Sequence, residues 1–160
     1  MGKYQFLHTG NYVKILLHNI PEIPGVIAKI TGLLANCNIN VLTLRHSVRT
    51  VEKGDIAFTV SKDNADEAIQ LMESNKSEIG ASEITVKRDL ALVFIRGDEI
   101  EHVSHFISDI SKAFSEYDVD FDSLTVSADG ITCILPDDQY NQAMHAFNKM
   151  FVDDPIISPI

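Results

Sequence analysis

The sequence predicts an α+β protein made of two copies of one β-α-β-β-α-β unit, each with helices on one face of an antiparallel sheet. The same order of apolar segments occurs twice along the 160 residues, which is the signature of a duplicated supersecondary unit. Ile39-Asn40-Val41 aligns with Val119-Asp120-Phe121 at an offset of 80 residues, and Ala68 aligns with Ala143 at an offset of 75. The hydrophobic fraction of 45% is that of a folded chain.

The first copy contains apolar runs of strand length and apolar residues at helical spacing, separated by turn-forming residues. Val26, Ile30 and Leu34 follow the loop "IPEIPG", so the first helix is expected to start near Pro24. The predicted segments are, in order, a strand over residues 13–17, a helix from 24 to 36–38, strands over 39–48 and 55–61, a helix capped by Asp63 or Asn64, and a strand over 83–88.

The second copy repeats this order but ends without its fourth strand. Its predicted segments are a strand over residues 90–96, a helix over 103–117, strands over 119–126 and 130–135 around a turn at 128–130, and a helix capped by Asp137 or Asp138. A spare strand precedes the first copy, and we expect it to cross over and complete the second sheet, whose edge would otherwise be exposed. The predicted domains are residues 11–89, residues 90–153 with the strand 3–9, and a tail at 154–160.

The charge balance argues against nucleic-acid binding. The chain has 13 basic and 23 acidic residues, a formal net charge of −10, whereas binding to a phosphate backbone needs clustered Lys and Arg. No apolar run approaches the roughly 20 residues that span a bilayer, and the start lacks the apolar core of a signal peptide. Cys37 and Cys133 are interpreted as reduced, half-buried thiols, so we expect a cytoplasmic protein without a membrane partner.

Recognisable catalytic motifs are missing from the sequence. It contains no glycine-rich phosphate loop, no nucleophile motif and no metal-ligand cluster, so we expect no cofactor and no catalysis by this chain alone. His102 and His105 have the i, i+3 spacing of a helical metal pair. No Cys or third His accompanies them at ligand spacing and Asp109 is a weak candidate, so a solvated helix face is the better interpretation.

The segments "IPEIPGVIAKITGLLANCNINV" and "GDIAFTVSKDNADEAIQLM" resemble the amino-acid-binding ACT domain, a ferredoxin-like unit. Over nearly its whole length the chain is similar to the tandem ACT regulatory region at the C-terminus of aspartokinases, which some of these enzymes carry as a separate small beta subunit. The resemblance implies a feedback-regulatory module that binds lysine or threonine at an interface between ACT units. It also implies a homodimer formed through the ACT sheets, and an aspartokinase catalytic domain or subunit as partner.

The resemblance places a ligand site at the loop that leads into the first helix. A Pro-Gly turn there directs backbone N–H groups and the helix dipole toward a carboxylate, although the same residues can also form a plain loop-to-helix turn. The corresponding loop and helix positions are Glu22, Ile23, Pro24, Gly25, Val26, Ile27 and Ala28. The corresponding strand positions, where a polar group would meet the ligand's ammonium, are Asn40, Leu42, His46 and Ser47, with Asp120 and Asp122 in the second copy.

Three departures from the family pattern concern the ligand. The family usually has an acid at the position of Leu42 and a glutamine near His46, and Ser104-His105 replaces the Pro-Gly pair in the second copy. The departures at Leu42 and His46 favour, as an alternative, a stand-alone ACT-type sensor or dimerisation module without a kinase partner.

Single-stranded RNA binding is a further alternative, because the same β-α-β-β-α-β pattern serves that purpose. Phe58, Phe94 and Phe121 are the candidate stacking residues on the strands. The net charge of −10 and the missing RNA-binding signature argue against it.

Overall fold

The computed structural model describes residues 4–97, 103–127, 130–150 and 156–159. The chain divides into two compact units, the first formed by Asn11–Arg88 and the second by Met1–Gly10 together with Asp89–Ile160. In chain order the elements are β1 (Tyr4–Pro21), α1 (Val26–Asn36), β2 (Thr43–Val48), β3 (Lys53–Ser61), α2 (Lys62–Ser74), α3 (Lys76–Ile79), β4 (Glu83–Gly97), α4 (Val103–Glu116), β5 (Ser123–Ser127), β6 (Gly130–Pro136), α5 (Tyr140–Met150) and β7 (Ile156–Pro159).

The first unit has the strand order β2-β3-β1-β4. β3 is antiparallel to both of its neighbours, and Phe58 lies opposite Ile15 of β1 and Leu44 of β2. Directly paired residues share a face of the sheet, and this face carries the core together with α1 and α2. The largest buried side chains of that core are Ile15, Leu17, Ile20, Ile30, Leu34, Ile56, Phe58, Met72 and Ile79.

The second unit has the strand order β7-β1-β4-β6-β5, to which β1 contributes residues up to 10 and β4 residues from 89. β6 is antiparallel to β4 and β5, and β7 is parallel to β1, with Gln5 opposite Ile156. Its core includes Val93, Ile95, Phe106, Ile110, Phe114, Ile131, Cys133, Leu135 and Phe147. The predicted fold class, α+β with β-α-β-β-α-β units, is confirmed.

Two long strands replace four predicted ones. β1 continues through the connection expected between residues 8 and 13, and β4 continues through residue 89. Each strand has a left-handed residue where the chain passes between the units, Asn11 with φ 64° and Asp89 with φ 54°. Asn and Asp tolerate this conformation because their short side chains can hydrogen-bond locally. The polar residues therefore interrupt the side-chain alternation without ending the strands.

The strand predicted over residues 39–48 begins only at Thr43. Asn38 has φ 56°, and Ile39, which follows it, is 4% exposed and packs into the core before the chain enters the sheet. In the second unit the strand predicted over 119–126 likewise begins at Ser123, after a left-handed Asp118 with φ 51°. The two repeats thus share the same helix-to-strand turn.

The predicted helix caps were wrong by one to three residues. α2 begins at Lys62 after Ser61, so Asp63 and Asn64 lie within the helix and do not cap it. Asp137 and Asp138 form a 3-10 turn, Asp137–Gln139, that leads into α5.

Several features lie outside the predictions or outside the described residues. The short helix α3 and the strand β7 were not predicted, and β7 forms from the tail expected at 154–160. His102, the turn residues 128–129 and residues 151–155 lie outside the described part of the chain. Among the described residues, no helix is long and apolar enough to cross a membrane.

Candidate functional site

The predicted site begins at the turn between β1 and α1. Gly25 precedes α1 with φ 91° and ψ −8°, a left-handed conformation in which an L side chain is strained. A Cβ atom at Gly25 would meet no atom within 4 Å, so the space beside the turn is open. Pro24 and Ala28 on either side of it are also exposed.

The first turn of α1 has backbone donors to offer. No side chain caps this turn, and it contains no acidic residue. The first helical hydrogen bond runs from the N–H of Lys29 to the carbonyl of Gly25 at 2.9 Å, so the N–H groups of Ile27 and Ala28 have no partner within the helix. These N–H groups can donate hydrogen bonds to an anionic group, which the positive end of the helix dipole also attracts.

A carboxylate and an imidazole meet beside this turn. The Nε2 atom of His46 lies 2.7 Å from Oε1 of Glu22, and their side chains are 28% and 17% exposed. An ionised carboxylate only accepts hydrogen bonds, so Nε2 of His46 carries the hydrogen and donates it. His46 is paired with the buried Ile56 across β2 and β3, which places the imidazole on the helix-covered face of the sheet.

Gly54 of β3 provides the space in which Glu22 lies. A Cβ atom at Gly54 would overlap Oε1 of Glu22 and lie 2.9 Å from the backbone oxygen of Ser47. The main chain of Glu22 is tied to the same hairpin, because its N–H donates to the carbonyl of Glu52 at 2.9 Å. Gly54 was missed in the sequence, although a glycine inside a strand is the usual mark of such a close approach.

The remaining predicted residues of the first unit have different positions. Ile23 is 59% exposed and Leu42 is 37% exposed, whereas Val26 is buried in the core and has only its backbone to offer. Asn40 is exposed in the connection before β2. Ser47 adjoins His46 on β2, so its side chain projects to the opposite face of the sheet. The structure therefore brings Glu22 and His46 together and directs Ser47 away from them.

Asp120 and Asp122 belong to the second unit, in the segment that enters β5. The N–H of Asp120 donates to Oε1 of Gln139 at 2.7 Å, and the N–H of Asp122 donates to the carbonyl of Ile134 at 2.7 Å. Asp120 is exposed and Asp122 is partly exposed. Their backbones fix the start of β5, and a ligand contact by their carboxylates remains a prediction.

A second polar cluster, also missed in the sequence, surrounds Asp55 on the other face of β3. Oδ2 of Asp55 lies 2.5 Å from Nε of Arg49, and Oδ1 accepts the N–H of Asn19 at 3.0 Å. Nδ1 of His18 is 3.9 Å from the same oxygen, and its Nε2 is 2.9 Å from Oγ1 of Thr85. The Asp55 side chain is only 10% exposed, so these partners offset the cost of its burial.

The structure also places residues that were considered for other chemistries. Phe58, a candidate stacking residue for RNA, is completely buried in the core. Within the described ranges, no three His, Cys, Asp or Glu side chains lie together as metal ligands, and His105 is exposed on α4. Cys37 is half-buried as expected, but Cys133 is fully buried, and this burial raises the pKa of its thiol to about 12. A thiol of this kind is not a nucleophile at neutral pH.

The sequence relatives of this chain described below are aspartokinases. No protein-family model matches the chain. It is 24% identical over 146 residues to an aspartokinase of Mycolicibacterium smegmatis, covering 90% of this chain and 35% of the relative. It is 28% identical over 143 residues to an aspartokinase of Thermus thermophilus, with 88% and 35% covered. The chain thus spans about a third of the length of the curated relatives it matches.

A solved structure shows to which third of the relatives this chain corresponds. The chain is similar to the ligand-free regulatory subunit of aspartate kinase from Thermus thermophilus, with a TM-score of 0.80 and 27% identity. This similarity covers 91% of this chain and 96% of that subunit. The resemblance to the regulatory region of aspartokinases, as opposed to their kinase part, is therefore confirmed.

Proposed function

We propose that this chain is an amino-acid-binding allosteric regulatory module of an aspartokinase, with lysine, threonine or both as ligand, bound at an interface between ACT units. Similarity to a regulatory subunit over nearly the full length of both chains supports the regulatory role. The observation that carries the site is the Glu22–His46 pair beside the uncapped start of α1.

The chemistry of the site suits a zwitterion. The ligand's carboxylate would accept hydrogen bonds from the N–H groups of Ile27 and Ala28, where the helix dipole favours negative charge. Its ammonium would donate to the Glu22 carboxylate, which Gly54 and the main-chain bond to Glu52 hold in position. Gly25 would let the ligand's backbone approach the turn closely.

Regulation would follow from differential binding. A ligand that binds one arrangement of the ACT units more tightly than another shifts the population toward the first, and a coupled catalytic partner responds to that shift. Such coupling is typically worth about 1–3 kcal/mol, which is enough for a 5- to 150-fold change in affinity. A homodimer formed through the ACT sheets is the arrangement that we propose for this coupling.

Calorimetric titration with L-lysine, L-threonine, L-methionine and the other proteinogenic amino acids tests the proposal. We expect saturable binding of lysine or threonine that is lost in Gly25→Val, because a β-branched residue is strained at φ 91° and its methyl groups would occupy the open space. Gly32→Val is the matched control, since Gly32 lies within α1, has no positive φ and also has open space around it. Absence of binding by every amino acid would refute the proposed function.

A stand-alone ACT-type sensor is the second candidate, and Leu42 favours it. This exposed aliphatic side chain occupies the position where the family pattern has an ammonium-pairing acid. The two candidates differ in one measurement, the activity of a purified aspartokinase catalytic subunit from the same organism with and without this chain. Amino-acid binding with no effect on the kinase would favour the sensor.

A further inference from the structure

The carboxylate that the proposed function assigns to the ligand's ammonium already has a partner. His46 donates to Oε1 of Glu22 at 2.7 Å, and the Glu22 side chain is only 17% exposed. Gly54 lies against the same oxygen, since a Cβ atom there would overlap it. A ligand ammonium that binds this oxygen therefore competes with the imidazole for it.

We propose that the ammonium of the bound amino acid displaces His46 from Glu22, so that binding is linked to proton release and weakens when His46 is protonated. This inference rests on the proposed function, because it concerns the same site. It makes His46 a residue that sets the pH range in which the module responds to its ligand.

The direction of the effect follows from the charge of the imidazole. A neutral imidazole donates an ordinary hydrogen bond from Nε2, whereas an imidazolium forms a shorter and stronger charge-assisted bond to Glu22. The imidazolium also repels the incoming ammonium. Ligand binding therefore favours the neutral form of His46, and at a pH where part of the population is protonated, binding releases a proton.

The charged groups on the surrounding elements are exposed, lie on the opposite face or have other partners, so the Glu22–His46 contact is considered by itself. In the β2–β3 hairpin, Glu52 and Lys53 are exposed, and Arg45 projects to the face of β2 opposite His46. On α1, Lys29 is engaged by Oε2 of Glu78 at 2.9 Å.

On the opposite face of the sheet, Asp55 is engaged by Arg49 and approached by His18. Among the described residues, Glu22 is consequently the carboxylate in hydrogen-bond contact with His46, and His46 is the titratable partner of Glu22.

Calorimetry with L-threonine and, separately, L-lysine at pH 8.0 and pH 5.5 tests the inference. Histidine is the side chain whose charge ordinarily changes between about pH 5 and 8, so competition from the imidazolium should weaken binding by at least about twofold at the lower pH. Near the middle of the interval, titrations in two buffers of different ionisation enthalpy should show a heat difference that corresponds to proton release.

Two glutamine variants provide the comparison. His46→Gln keeps a neutral donor in place, and we expect its Kd to be nearly independent of pH, with no proton release. His145→Gln removes an exposed histidine of the second unit and should keep the full pH dependence. Any pH dependence caused by Glu22 itself would persist in His46→Gln, so this variant separates the two groups.

The outcomes distinguish this inference from the proposed function. Binding that varies less than twofold with pH in the wild type, or a pH dependence that survives in His46→Gln, would overturn the inference and leave the proposed function intact. A loss of binding at both pH values would overturn both.

Discussion

Replacing Gly54 with alanine tests the geometry on which the candidate site depends. The added methyl group would overlap Oε1 of Glu22 and lie 2.9 Å from the backbone oxygen of Ser47. The carboxylate is the end of a flexible side chain and can swing away, whereas the oxygen of Ser47 is part of β2, which is paired with β3. We therefore expect the Glu22–His46 contact to be lost and the hairpin to be strained, at a cost of about 1–2 kcal/mol, the lower part of the range for overpacking.

Urea unfolding measures the stability cost, and the imidazole resonances of His46 measure the contact. Gly54→Ala should lower the free energy of unfolding by that amount and move the His46 resonances toward those of a Glu22→Gln variant. Gly32→Ala is the control, because its methyl group enters open space on α1 and should stabilise the helix by up to about 1 kcal/mol. Unchanged stability together with unchanged His46 resonances would refute the packing argument.

Two further predictions concern the second unit. Burial raises the pKa of Cys133 to about 12, so its thiolate is scarce at pH 8. A thiol reagent should therefore modify Cys37 first and Cys133 only when urea unfolds the chain. Two rapidly reacting thiols in the native protein would contradict this burial. Deleting residues 1–9 removes the part of β1 that lies between β7 and β4. Hydrogen exchange should then show lost amide protection in β6 and retained protection in β3, whereas equal protection in both would contradict the crossed strand.

The repeat and its side-chain periodicity predicted the type and order of most elements, because these depend on local patterns. Leu17 was recognisable as a core position from its apolar run, and Ile30 and Leu34 were recognisable from their helical spacing. The continuation of β1 through Asn11 and of β4 through Asp89 was not predictable, because a left-handed residue inside a strand depends on pairing with distant segments. β7 was missed for the same reason, because its partner is the other end of the chain.

The candidate site was predictable as a set of positions but not as a geometry. The Pro-Gly turn and the family pattern identified Glu22, Gly25 and His46 individually. The contact between Glu22 and His46 depends on Gly54, which lies 32 residues after Glu22 and leaves no local signal beyond being a glycine in a strand. Strand alternation alone does indicate that Ser47 and His46 project to opposite faces.

The two repeats differ at the positions that form the Glu22–His46 pair in the first unit. Val126 lies opposite Ile131 in the second unit as His46 lies opposite Ile56 in the first, so the register makes Val126 the counterpart of His46. Val126 is 39% exposed and has no polar group with which to hold a carboxylate.

At the offset of 80 residues, the counterpart of Glu22 is His102 and that of Gly25 is His105. The duplication has therefore kept the fold in both copies and the carboxylate–imidazole pair in one. An amino-acid site built on that pair should therefore occur once per chain.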